Sequence, residues 1–186
     1  MGRVPGSRTT TKRQSTVGDM LRTMAVLLVP VLVIMVVFTR PPEQLPGSQP
    51  VDWRPVFDTA ASEARFPVVA PVNLPDGWVA NHVSWDAGHD GADQRWVIGW
   101  LSPEQMSFEV EQSNTAAEVF IPKATREGAV DGTSTVSGQA WQRYRSSDDI
   151  TRSLVRIDTA TGAVTVVSAD VSYESLEAFA GTLAEQ

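Results

Sequence analysis

One stretch of this chain limits its architecture more than any other. From Thr23 to Thr39 there is no charged residue, and MAVLLVPVLVIMVVF (Met24–Phe38) is almost wholly apolar. A helix needs about 20 apolar residues to cross a hydrocarbon core, with ~17 as the lower bound. Met20 and Leu21 extend the run if the side chain of Arg22 reaches to the headgroups. Pro30 removes one backbone donor, which membrane helices tolerate when neighbouring groups adjust. A buried helix of a soluble protein is a poor account of a run with nothing polar to meet solvent. A cleaved leader needs small residues at a cleavage site, and TRPPEQLPGSQP has no A-x-A pattern there. The run therefore predicts an uncleaved single-pass anchor across residues 20–39, with the lipid bilayer as partner of Met24–Phe38.

Charge orients it. Residues 1–40 hold six basic residues and one acid, whereas residues 41–186 hold nine basic residues and 21 acids. Basic residues stay on the cytoplasmic side, so the N-terminus is expected in the cytoplasm and the C-terminal part outside the cell membrane. An outer part with a net charge of −12 is a poor binder of phosphate backbones, which excludes nucleic acid as a partner.

The remaining organisation follows from composition. Residues 1–19 are polar and basic and lack the apolar content for a core, which predicts a disordered cytoplasmic tail. Residues 40–51 form a Pro-rich linker, extended and semi-rigid. Residues 52–186 are expected to fold as one outer domain. There is no cysteine, and there are only two histidines, His82 and His89. Disulfides, thiolate catalysis and a three-histidine metal site are thereby excluded. No nucleophile elbow, phosphate loop, dinucleotide fingerprint or H-E-x-x-H is present, so no catalytic, cofactor or metal residue is assigned.

Within 52–186, Trp53, Val56, Phe57, Ala60 and Ala64 recur at helical spacing behind Asp52 as N-cap. FPVVAPVNLPDGW (Phe66–Trp78) cannot continue that helix, because each proline biases the preceding residue toward extended backbone. It is expected to pack its apolar side chains against a sheet, with Leu74–Gly77 as a type I turn. Strands are expected at 79–87, 95–101, 106–112, 140–145, 154–158 and 163–168, with a short one in DGTSTVSGQ. Residues 115–126 are ambiguous, since Pro122 limits a helix there. A last helix starts at Ser172 and presents Leu176, Phe179, Ala180 and Leu183 on one face. The hairpin connections predict an α+β domain with an antiparallel sheet of about six to seven strands, flanked by N- and C-terminal helices.

Three groups of side chains invite a functional reading. Asp86, His89, Asp90 and Asp93 sit on one turn-rich loop, where carboxylates supply hard oxygens for calcium, although the spacing is not that of an EF-hand. Glu109 and Glu111 share a strand face, as do Arg143 and Arg145, with Arg156 on a third strand. If those strands pair, the charges meet in an anion site, a hydrolytic carboxylate pair or a solvent face of weak ion pairs. Trp96, Trp100, Trp141 and Tyr144 form a candidate ligand platform, against the commoner role of aromatics as core.

Several stretches together resemble a known family. DMLRTMAVLLVPVL, FPVVAPVNLPDGW, WVIGWLSPEQMSFEVEQS, VDGTSTVSGQAWQRYR and ESLEAFAGTL are similar to the domain-of-unknown-function family 4245, single-pass membrane proteins of high-GC Gram-positive bacteria. The resemblance implies an extracytoplasmic domain on an N-terminal anchor and carries over no catalytic residue. Together these readings favour a non-enzymatic binding or accessory module of the cell envelope, with an envelope protein or wall component as partner. A structural subunit of a membrane complex and a carboxylate-dependent envelope hydrolase remain as alternatives.

Overall fold

A computed structural model describes residues 50–185. The basic tail, the apolar run Met24–Phe38 and all but the end of the linker lie outside the described residues. Among the described residues no helix is long and apolar enough to cross a membrane.

The chain enters at Val51, whose N–H donates to the Ala80 carbonyl. Helix α1 (Arg54–Glu63) follows, with Pro55 in its first turn, where a missing N–H costs nothing. Trp53 occupies the N-cap position without a side-chain bond, and Asp52 instead accepts from the Arg54 N–H at 3.3 Å. The cap is thus one residue later than the spacing predicts, while the apolar face is the expected one: Phe57 and Ala60 are buried.

The proline segment forms a short strand, β1 (Val69–Pro71). Its partner is β9 (Leu183–Glu185), paired antiparallel from the far end of the chain. A two-stranded ribbon spares Pro71 the ladder bond it could not donate in a central strand. The turn before the next strand centres on Asp76–Gly77, and Gly77 has φ +93°. That value suits the third residue of a type II turn and corrects the type I expectation.

Strands β2 (Val79–Asp86), β3 (Arg95–Leu101) and β4 (Ser107–Ser113) form one antiparallel meander. Strands β5 (Ala129–Val136), β6 (Gln139–Arg145), β7 (Arg152–Ile157) and β8 (Val164–Ala169) form a second. The β5–β6 loop is Ser137–Gly138, with φ +50° and +77°, the two positive values that a type I′ hairpin turn needs. β4 pairs with β8, which fuses the meanders into a seven-stranded sheet of order β2-β3-β4-β8-β7-β6-β5.

Helix α2 (Ala117–Ala124) bridges the two meanders and α3 (Tyr173–Ala180) follows the second. Pro122 lies inside α2 rather than ending it. Beyond it, the Thr125 hydroxyl donates to the Ile121 carbonyl and the Glu127 N–H to the Pro122 carbonyl, so the last turn closes. α3 begins as expected, with Ser172 accepting from the Ser175 N–H. It ends at Ala180, so Leu183 lies in β9 instead of on the helix face.

Strand alternation sorts the core. One sheet face carries Trp96, Ile98, Trp100, Phe108, Val110, Trp141, Leu154 and Val167, packed with residues of α1 and α3. The opposite face carries Val155, Val164 and Val166 under Phe120 and Ala124 of α2. The expected sheet with terminal helices is therefore present, with a third helix added on the second face.

Candidate functional site

Among the described residues, an open apolar groove lies where three elements meet. α3 turns Ser175, Ala178 and Phe179 toward it, a spacing that puts all three on one helix face, and Thr182 lines it from just beyond the helix end. The proline segment supplies Leu74, Pro75 and Trp78, and the β3–β4 hairpin supplies Met106 and Phe108. The groove holds about 510 Å³, within the ~300–1,000 Å³ range of ligand sites. Its floor is an aromatic cluster: Trp78 stacks on Phe179 with centroids 5.4 Å apart, and Phe108 sits 4.7 Å from Phe179 and 5.0 Å from Trp78. Glu104 is its one charged lining residue. Asp76, Asp170 and Glu174, each the exposed chain neighbour of a lining residue, make its surroundings acidic.

The four aromatic candidates do not converge. Trp96 is fully buried, and its indole N–H donates to the Val69 carbonyl at 3.1 Å, which ties the proline segment to the sheet. Trp100 is 8% exposed and reaches a shallow depression beside Pro50–Arg54. Trp141 lies under the guanidinium of Arg156, 5.3 Å from the ring centroid, and lines a separate cavity. Tyr144 is on the opposite sheet face, packed with the α2 cluster, its hydroxyl donating to Gln142 Oε1.

The charged candidates are also dispersed, because strand parity places Glu109 and Glu111 on the α2 face and Arg143, Arg145 and Arg156 on the other. β8 and β7 stand between β4 and β6 besides. Arg95 instead donates to Glu111 Oε2, at 2.5 Å from Nη2. Arg143 bonds Ser134 and Glu177, and Arg145 bonds Asp131 and Asp149. The Glu109 carboxyl is pushed up to about 7, first by burial and then by hydrogen bonding to and repulsion from Glu111, against the opposing pull of Arg95 and Arg126. The phenol of Tyr173 is pushed up to about 12 by burial and its bond to Asp131.

The aspartate loop spends its carboxylates locally. Asp86 accepts from the Gly88 N–H and Asp93 from the Thr115 hydroxyl, while His89 and Asp90 are exposed at the tip. Among the described residues no three His, Asp or Glu side chains gather as a metal site.

Met106, Phe108 and Phe179 also belong to the main core cluster, and only the meeting of hairpin, helix end and proline segment exposes their edges in one groove.

These features define an antiparallel α+β domain with helices on both sheet faces and an open apolar groove at one end. The chain belongs to the family described as protein of unknown function (DUF4245), which matches residues 12–183. No curated protein matches it. Two solved structures are similar to part of the chain. "The complex structure of Pseudomonas aeruginosa MucA/MucB" gives 16% identity over 63% of this chain and 35% of that chain, with a TM-score of 0.38. "Crystal structure of MucB in complex with MucA(peri)" gives 17% identity over 63% and 36%, also with a TM-score of 0.38. The chain thus matches little more than a third of the length of either.

Proposed function

We propose that this protein is a membrane-anchored, non-enzymatic binding module of the cell envelope, and that its groove docks an apolar segment of a partner protein flanked by Lys or Arg. The aromatic groove of Trp78, Phe108 and Phe179 carries this reading. Apolar anchors in a desolvated pocket dominate the energy of docking. The acidic surroundings repel acidic partners and favour basic flanks. The groove also shares Trp78 with the depression where the chain enters at Pro50 and Val51. If residues 20–39 span the bilayer, an extended linker over 40–51 holds that end within about 40 Å of the membrane. The tail 1–19 then lies in the cytoplasm and the domain from residue 52 outside the cell, as the basic N-terminus supports.

The test is photo-crosslinking in cells from Ala178 and Ser175, with exposed Val119 on α2 as control. The expected adduct is one partner protein, joined through a segment with apolar residues between Lys or Arg. A lipid adduct, or equal adducts from Val119, overturns the reading. Protease added to spheroplasts is expected to remove the outer domain and spare the tail; protection of the domain overturns the orientation. Loss of function on exchanging Met24–Phe38 for an unrelated span, with groove variants silent, points to the structural-subunit alternative.

One observation favours a second reading. Glu109, held near neutrality beside Glu111, has the proton affinity of a general acid, as a carboxylate-dependent envelope hydrolase requires. In that case Glu109→Gln abolishes hydrolysis of envelope material while the Ala178 crosslink persists.

A further inference from the structure

On the other side of the same helix end lies a second cavity, of about 310 Å³, between the β1–β9 ribbon and the sheet. α3 stops at Ala180, so this row of the sheet is covered by Val69 and Leu183 of the ribbon instead of by a helix. Arg156 of β7 stands in that row, opposite Thr165 of β8 and against the face of Trp141.

Its position differs from that of the other arginines among the described residues. Arg65, Arg95, Arg126, Arg143, Arg145 and Arg152 each donate a side-chain bond to the protein. Arg54 makes none but is exposed at the surface. The Arg156 guanidinium makes no hydrogen bond and no ion pair among the described residues, and its Nε is buried without a partner. A buried donor left unmade forgoes the stabilisation that a hydrogen bond would return for its lost hydration. Nothing in the fold collects that stabilisation, although Thr165, whose hydroxyl oxygen already accepts from Gln112, and Ser137 and Gln139 also line the space.

We propose that this cavity binds a small organic carboxylate, independently of the groove. The planar guanidinium fork takes both carboxylate oxygens, Trp141 holds the fork flat, and the apolar body lies along Val69, Val136 and Leu183. A monoanion fits better than phosphate. One arginine supplies one positive charge, Glu185 lines the same cavity, and residues 41–186 carry −12, so a dianion meets a repulsive field. Glu185 makes no ion pair with Arg156 and acts as the internal competitor.

The experiment uses the full chain in detergent micelles, ¹⁵N-labelled, with hexanoate and N-acetyl-alanine as probes and hexanol and inorganic phosphate as controls. The expected result is a saturable shift of the Arg156 Nε–H and Trp141 indole signals with both carboxylates and with neither control. An aliphatic acid and a peptide terminus are distinguished by which probe is tighter. Arg156→Gln is expected to weaken binding at least tenfold while the domain keeps its folded circular-dichroism spectrum, since the change removes the contact with Trp141 but no protein hydrogen bond. Glu185→Gln is expected to tighten binding a few-fold. Unchanged affinity in Arg156→Gln, equal binding of phosphate, or an Arg156 Nε–H that is protected without probe and freed by Glu185→Gln each overturns the proposal.

Discussion

The two faces of the seven-stranded sheet are built from the same strands yet finished differently. Under α1 and α3 the core is continuous and aromatic: Trp53, Phe57, Trp96 and Trp100 meet edge to face, with centroids 5.5–5.9 Å apart. Under α2 an eight-residue helix covers three buried valines and the partly buried Tyr144, and the Glu109–Glu111–Arg95 cluster lies at its margin. Cover decides the chemistry. Where two helices cover a face, openings appear at the helix ends, which is where both cavities lie. Where one short helix covers a face, charge is trapped half in and half out, and a carboxyl is shifted toward neutrality.

The sharpest way to break this comparison is to empty each core in turn. Trp96→Ala is expected to cost about 4 kcal/mol, because Trp96 is fully buried and its N–H anchors Val69. Urea titration measures the loss. Phe120→Ala, in the smaller α2 cluster, is expected to cost about 3 kcal/mol; an equal or larger loss than Trp96→Ala reverses the ranking of the faces.

The acids sharpen the contrast through opposite pH signs. Glu109 has its folded value raised to about 7 from 4.5. Its protonated form is favoured in the fold, so the associated stability is present at low pH and is lost as pH rises from about 4.5 through 7. Glu109→Gln is therefore expected to raise stability by about 1–2 kcal/mol at pH 8 and to change little at pH 4. Thermal melts across that range decide it, and a variant as pH-dependent as the parent removes Glu109 as the cause.

Glu177, on the aromatic face, behaves oppositely and more weakly. Its carboxyl is held below the usual range by the Ser134 hydroxyl and by Arg143. That stability is present above the ordinary Glu value and is lost as pH falls through the lower folded one. Glu177→Gln is expected to cost no more than about 0.5 kcal/mol at pH 7, as partly exposed pairs do, and nothing at pH 2. A gain at pH 7 contradicts the assignment.

Much of the fold was legible because its signals are local. Alternation placed Glu109 and Glu111 on one strand face, which the register confirms, and hairpin turns join β3 to β4 and β7 to β8 as an antiparallel sheet requires. The candidate site was less legible. Trp96, Trp100, Trp141 and Tyr144 were singled out by residue type, but type does not reveal parity between distant strands, and Tyr144 falls on the other face. The Leu183 expectation failed for a related reason: periodicity extends a helix until something stops it, and here the pairing of β9 with β1 draws the chain away after Ala180.

By itself the sequence determined the first and last helices, the strands of the two meanders, the antiparallel class and the apolar run that predicts an anchor, since each depends on residues within a turn or two of each other; β1, β9 and the helix around Pro122 were not among them. Only the tertiary structure decided that β4 pairs with β8, that Val69 meets Glu185 across the length of the domain, and that an aromatic groove and an unpartnered Arg156 open on either side of one helix end. Those outcomes rest on contacts between residues far apart in the chain, whose selection depends on how the whole core packs and not on any local pattern.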